Sequence, residues 1–93
     1  MTDGPAEAAE TAVASTGARV LGLLELLDGI HADLAHLVRR RLTGTWDATE
    51  LDRYHDLARA EIVARRRLVV ARERFDTARR RAATARARAR PPV

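Results

Sequence analysis

The chain has no cysteine and no lysine, and its 93 residues include only three aromatic side chains, Trp46, Tyr54 and Phe75. Without cysteine there is no disulfide framework, no thiol nucleophile and no cysteine-ligated zinc site. Three aromatic residues are too few for a sheet core or for a surface that stacks nucleic-acid bases. No apolar run approaches the roughly 20 residues of a membrane span, and the acidic N-terminus predicts no secretory signal. We therefore expect one small cytoplasmic domain.

What the chain does have is arginine and alanine, a composition typical of a GC-rich bacterial genome. The basic residues are unevenly placed. Residues 1–38 carry six acidic residues and one arginine, a net −5, whereas residues 39–93 carry sixteen arginines and seven acidic residues, a net +9. Opposite charges would meet if the two halves folded back on each other, with position i lying opposite about 90 − i. This pattern favours an antiparallel pairing of the halves.

The segment LTGTWDATEL predicts the turn between two long helices. Gly44 stands where a helix C-terminus favours a residue with positive φ. Asp47 is a good N-cap, and Glu50 three residues later completes a capping box. Trp46 and Leu51 have the spacing of a hydrophobic staple across that cap. The segment therefore predicts that one helix stops, the chain reverses, and a second helix starts.

Residues that are small or apolar, with Glu61 as an acidic exception, recur on both sides of this turn at alternating steps of three and four, which is heptad spacing. The first series is Ala6, Ala9, Val13, Thr16, Val20, Leu23, Leu27, Ile30, Leu34 and Leu37. The second series is Tyr54, Leu57, Glu61, Ala64, Leu68, Ala71, Phe75, Ala78, Ala82 and Ala85. Further aliphatic residues flank both series: Leu21, Leu24, Leu26 and Val38 in the first, and Leu51, Ala58, Ile62 and Val69 in the second.

The predicted organisation follows from these series and their interruptions. A break in the first helix is predicted at Gly17, because glycine inside a helix costs about 1 kcal/mol relative to alanine. We expect residues 1–17 to be a weakly ordered or helical lead and residues 84–93 to be a fraying Arg/Ala/Pro tail that prolines end. Between them, a helical hairpin comprises a helix over 18–42, a turn over 43–47 and a helix over 48–83.

The predicted fold is all-α, an antiparallel two-helix hairpin with coiled-coil-like packing. One hairpin cannot cover the wide arc of leucines on its first helix, so we expect it to pair into a four-helix bundle or to dock on a larger protein. The predicted interface residues are Val20, Leu23, Leu24, Leu27, Ile30, Leu34, Leu37, Tyr54, Leu57, Leu68 and Phe75.

Few residues in the sequence have a spacing that catalytic or metal-binding sites use. No nucleophile with a neighbouring base and no glycine-rich phosphate loop is present, so we expect neither an enzyme nor a cofactor. Carboxylate-bridged metal bundles place an acid three residues before a histidine. Asp52 and His55 have that spacing, and Glu61 lies on the second series, so these three are the best candidate ligands. Most such pairs are solvated polar faces, and a full ligand set would need a second chain.

An alternative function is nucleic-acid binding through the basic end of the chain. Residues 77–93 contain no acidic residue, and their arginines are Arg79, Arg80, Arg81, Arg86, Arg88 and Arg90. Such a segment binds phosphates in a salt-dependent, sequence-independent way. No aromatic residue is interleaved with these arginines, and the helices are too long for a helix-turn-helix. The interpretation without a binding partner is that the same segment is a disordered basic tail that increases solubility.

The size, the lack of cysteine and the tryptophan in the turn resemble the small Trp-x-Gly proteins of type VII secretion, which form dimeric four-helix bundles. The resemblance is one of architecture. Asp47 and Ala48 follow Trp46, so the glycine of that motif is absent, and Ala58 stands four residues after Tyr54 where an acid would complete the export signal. As a minor alternative, the resemblance to these proteins implies a small secreted helical hairpin. The principal prediction is a non-catalytic interaction or assembly module, a homodimer or a subunit docked on a larger protein.

Overall fold

A computed structural model describes residues 4–90, which form an all-α helical hairpin. Helix α1 spans Pro5–Thr43 and helix α2 spans Ala48–Ala89. No β-strand occurs within the part of the chain that the structure describes. The fold class predicted from the heptad series is therefore confirmed.

Helix α1 begins at Pro5 and is continuous through Gly17. Of the two alternatives for the predicted lead, residues 5–17 therefore adopt the helical one, joined without a break to the helix predicted over 18–42. Proline suits the first position of a helix, because its missing N–H would have no partner there. At Gly17 the ring of Phe75 packs so closely that a Cβ there would lie 3.2 Å from its Cε2 atom. The glycine therefore provides room for an aromatic side chain, and this packing opposes the break that its low helix propensity favours.

Helix α2 continues to Ala89, six residues beyond the predicted end at residue 83. Alanine and arginine are among the strongest helix formers, so the segment TARARA has no residue that ends a helix. Arg86 in this segment also pairs with Glu10 of α1, with 3.1 Å between Nε and Oε1. Residues 1–3 of the predicted lead and 91–93 of the predicted tail lie outside the described residues.

The turn contains the predicted capping box. The backbone N–H of Glu50 donates to Oδ1 of Asp47 at 2.8 Å, and the N–H of Asp47 lies 3.4 Å from Oε1 of Glu50. The positive φ expected at Gly44 is wrong, because no described residue has one. In place of a glycine cap, side-chain donors form hydrogen bonds with backbone carbonyls near the end of α1. Trp46 Nε1 donates to the carbonyl of Leu37 at 2.8 Å, and the hydroxyl of Thr43 donates to Arg40 at 3.1 Å.

The two series supply the buried and half-buried positions of both helices. Every member of each series is buried or of intermediate exposure. We assign heptad letters accordingly, with a at Val20 and Phe75 and d at Leu23 and Ala78. Positions e and b then lie on one side of this seam, called the e side, and positions g and c lie on the other, called the g side.

Two compact units share these helices. The turn unit is Leu23–Leu68, and its buried residues are Leu23, Leu27, Ile30, Leu37, Ala64 and Leu68. Eight arginines and eight acidic residues make it electrically neutral. In this unit Asp33 and Arg53, both at g positions, pair across the seam at 3.4 Å.

The terminal unit comprises Met1–Gly22 and Val69–Val93 and is described over residues 4–22 and 69–90. Its buried residues are Ala71, Ala78 and Ala82, so its seam consists largely of small side chains. The described part contains nine arginines and four carboxylates, a net +5. The turn unit is thus leucine-rich and neutral, and the terminal unit is alanine-rich and basic.

Candidate interaction surfaces

The side chains predicted to form an association interface instead pack between the two helices of the hairpin, where they are buried or half-buried. Leu23, Leu27, Ile30, Leu37 and Leu68 are each 7% exposed or less. The remaining predicted interface residues are of intermediate exposure, and they are Val20, Leu24, Leu34, Tyr54, Leu57 and Phe75. A surface for a second molecule must therefore come mainly from the positions that flank the seam.

One such surface lies on the e side of the turn unit, and we call it the aliphatic face. Four of its residues are exposed: Val38 by 47%, Leu42 by 81%, Leu51 by 44% and Ile62 by 50%. Leu24 and Ala58, of intermediate exposure, complete it at e positions. The sequence signal for this face was the set of aliphatic residues beside the seam. Leu42, the last residue of the predicted first helix, was not among the residues singled out.

A polar cluster lies on the same side. His31 Nε2 is 2.6 Å from Oε2 of Glu61, and Arg65 Nε is 3.6 Å from Oε1 of the same carboxylate. The Glu61 side chain is 24% exposed, whereas the side chains of His31 and Arg65 are 46% and 62% exposed. Glu61 is the one acidic member of the two heptad series. Its carboxylate contacts His31 of α1 and Arg65 of α2.

The metal ligands proposed from the sequence do not come together. Asp52 and His55 are exposed, and the His55 ring lies against Tyr54 with 5.8 Å between ring centroids. Glu61 instead contacts His31 and Arg65. Across residues 4–90, no three histidine, aspartate or glutamate side chains converge as a metal site would require.

With position i facing about 90 − i, opposite charges are predicted to meet at three places: residues 39–41 with Glu50 and Asp52, Glu25 and Asp28 with residues 65–67, and Glu7 and Glu10 with residues 79–86. Ion pairs between the helices are found at the first and the third. Arg40 pairs with Glu50 at 2.9 Å, and Arg86 pairs with Glu10 at 3.1 Å. Glu25 and Asp28, expected to face Arg65, Arg66 and Arg67, form no ion pair with any residue between 4 and 90. Both lie at positions that point away from the seam, since f and b are on the outer side of a helix.

Six of the nine arginines in the described part of the terminal unit form two rows along α2, each with heptad spacing. The e-side row is Arg72, Arg79 and Arg86, and the g-side row is Arg74, Arg81 and Arg88. On the e side Arg86 pairs with Glu10, and the guanidinium of Arg79 lies 5.6 Å from the centroid of the Phe75 ring. The g-side row makes no ion pair within the described residues. Arg80 and Arg90, the other arginines predicted to bind nucleic acid, are exposed outside the rows.

An open groove of about 660 Å³ lies beside the g-side row, between α1 and α2 of the terminal unit. Its walls are mostly apolar and consist of small side chains. The lining residues are Ala8, Ala9, Ala12, Thr16, Glu73, Arg74, Thr77, Ala78 and Arg81. This groove is not evident from the sequence, because alanine and threonine at heptad spacing predict packing and give no measure of the gap between two helices.

Neither helix, within residues 4–90, has the combination of length and hydropathy that a bilayer crossing requires. Comparison of the chain with protein-family models, with curated proteins and with solved structures finds no match in any of the three. The surfaces described above therefore stand as the basis for a functional hypothesis.

Proposed function

We propose that this chain is a non-catalytic helical assembly module that self-associates through the aliphatic face of the turn unit. Two hairpins packed face to face would make a four-helix bundle, the common way for long amphipathic helices to cover a second apolar side. The observation that carries the proposal is that Val38, Leu42, Leu51 and Ile62 are 44–81% exposed after the seam has closed.

Several features support a second copy as the occupant of this face. Exposed aliphatic side chains grouped on one side of a pair of helices are typical of an interaction site. The turn unit is electrically neutral, so two turn units meet without net charge repulsion. The polar cluster around Glu61 provides a charged centre within an apolar surface, and one polar group in a helical interface fixes register at some cost in stability.

The test is solution mass by sedimentation equilibrium, combined with circular dichroism, for the full chain and two double variants. Leu42→Ser with Ile62→Ser removes two members of the aliphatic face. Leu26→Ser with Val63→Ser removes two side chains that are 49% and 44% exposed on the g side of the same unit. Like the test pair, the control removes one aliphatic side chain from α1 and one from α2.

We expect the full chain and the Leu26/Val63 control to be dimers, and the Leu42/Ile62 variant to be a monomer that keeps its helix content. The dimer should persist at high salt, because apolar burial rather than exposed charge holds it together. A full chain that remains monomeric at millimolar concentration would contradict the proposal. So would equal loss of association in both double variants.

A further inference from the structure

The groove of the terminal unit is a second surface, distinct in shape and charge from the aliphatic face. Its lining residues run from Ala8 to Thr16 on α1 and from Glu73 to Arg81 on α2. Eight residue steps along a helix correspond to about 12 Å, or two turns. An occupant must therefore be elongated along the two helices, as a third helix packed into the gap between them would be.

The floor of the groove determines which side chains fit it. Ala8, Ala9, Ala12 and Ala78 present single methyl groups, so the groove is open to larger side chains from outside. In packed helices, ridges of large side chains fill the grooves of a neighbour, and small residues bring the axes closer together. Leucine or isoleucine side chains of a docked helix would fill this space.

The rim of the groove determines the charge of the occupant. Arg74 and Arg81 lie on it, seven residues or about 10.5 Å apart along α2. Neither arginine pairs with an acid inside residues 4–90, and Glu73 is the one acid among the lining residues. Arg88 continues the row by another heptad. Carboxylates spaced by seven residues on a docked helix match this row, as e and g charges do between helices of a coiled coil.

We propose that this groove binds an amphipathic helix of a partner protein, with aliphatic side chains on the alanine floor and heptad-spaced carboxylates against Arg74 and Arg81. A nucleic acid would use the arginines and leave the apolar groove unfilled. Base stacking is also unsupported, because Phe75, the aromatic residue of this unit, packs against Gly17. The proposal concerns a different unit from the self-association surface and does not depend on it.

The experiment measures binding of the full chain to synthetic three-heptad peptides by fluorescence anisotropy. The test peptide has leucine at a and d and glutamate at e and g, charges that oppose its own pairing. A second peptide replaces those glutamates with glutamine. A third scrambles the first, so that its charge is kept and its apolar stripe is lost. A short DNA duplex serves as the nucleic-acid probe.

Two pairs of variants locate the binding site. Arg74→Glu reverses a rim charge, and Arg72→Glu makes the same change two residues away on the e side. Ala12→Leu fills the groove, and Ala14→Leu adds the same bulk at an exposed position of α1 that does not line it. Circular dichroism of each variant verifies that the hairpin is folded.

We expect the amphipathic acidic peptide to bind, and Arg74→Glu and Ala12→Leu each to weaken binding at least about tenfold relative to their controls. The glutamine peptide and the scrambled peptide should bind much more weakly. Equal binding of the scrambled peptide, or equal effects of Arg72→Glu and Arg74→Glu, would overturn the proposal. DNA that binds more tightly than any peptide would do so as well. If the full chain dimerises but does not bind the acidic amphipathic peptide, only the groove proposal is refuted. If the full chain is a monomer that binds this peptide, only the self-association proposal is refuted.

Discussion

The ring of Phe75 lies so close to Gly17 that a Cβ at position 17 would be 3.2 Å from its Cε2 atom. The other glycines inside α1, Gly22 and Gly29, have no such neighbour within 4 Å. Gly29→Ala should therefore raise the free energy of unfolding by about 1 kcal/mol, the gain in helix propensity. Gly17→Ala should gain less, because the aromatic ring must shift. Urea denaturation of both variants measures the difference.

The control for this prediction is Gly17→Ala in a chain that lacks the aromatic ring of Phe75. In a Phe75→Ala background, Gly17→Ala should recover the gain seen at Gly29, since the close contact is gone. Equal gains at the two glycines in the parent chain would contradict the packing of Phe75 over Gly17.

Asp47 accepts the N–H of Glu50 at 2.8 Å and starts α2. Asp47→Ala should lower the free energy of unfolding by about 0.5–2 kcal/mol, the usual cost of losing an N-cap. Asp52→Ala, an exposed acid one turn later, is the control and should change it by less than about 0.5 kcal/mol. Thermal unfolding followed by circular dichroism separates them, and identical melting curves would place the cap elsewhere.

Trp46 donates its ring N–H to the carbonyl of Leu37 and packs on Tyr54, with 4.9 Å between ring centroids. Trp46→Phe keeps an aromatic ring and removes the donor, so it should cost about 1 kcal/mol. Tyr54→Phe keeps the ring contact and should be close to neutral. Chemical denaturation followed by circular dichroism gives both values. A larger loss for Tyr54→Phe would contradict the assigned role of the indole N–H.

Glu61 occupies an a position between His31 and Arg65. Glu61→Leu should raise the free energy of unfolding by about 1 kcal/mol, because it adds apolar burial to the seam. Within one hairpin the side chains of His31 and Arg65 are 46% and 62% exposed, so the change leaves no buried charge unpaired there. His31→Gln is the control, and it should change stability little, as expected for exposed pairs. Destabilisation by Glu61→Leu would indicate that the carboxylate is essential to packing of the hairpin.

Most of the fold follows from local pattern. The alternating steps of three and four placed Leu27 and Ala64 in the seam correctly, because packing of two helices requires that spacing. The turn was equally readable, since Asp47 and Glu50 form a cap whose chemistry is contained in four residues. The position of Glu61 on the seam was also evident, although its partner His31 was not.

What the sequence did not reveal depends on contacts between residues far apart in the chain. The break expected at Gly17 is opposed by Phe75, which lies in the other helix, and propensity carries no information about that ring. The same limitation hid the groove, whose width depends on how closely Ala12 and Ala78 bring the helices. The aliphatic face was suggested by its residues, yet only burial of the seam established that Leu42 and Ile62 remain exposed.

The hydrogen bond from Trp46 to Leu37 joins residues only nine apart in sequence. Closing so short a loop costs little chain entropy, and folding is fast where contacts are local. We infer that folding nucleates at this tryptophan. Contacts between the two helices then form progressively farther from the turn, and each one closes a slightly longer loop than the contact before it. A substitution that weakens the indole contact would therefore slow the folding rate, whereas changes near Ala82 would act chiefly on the rate of unfolding.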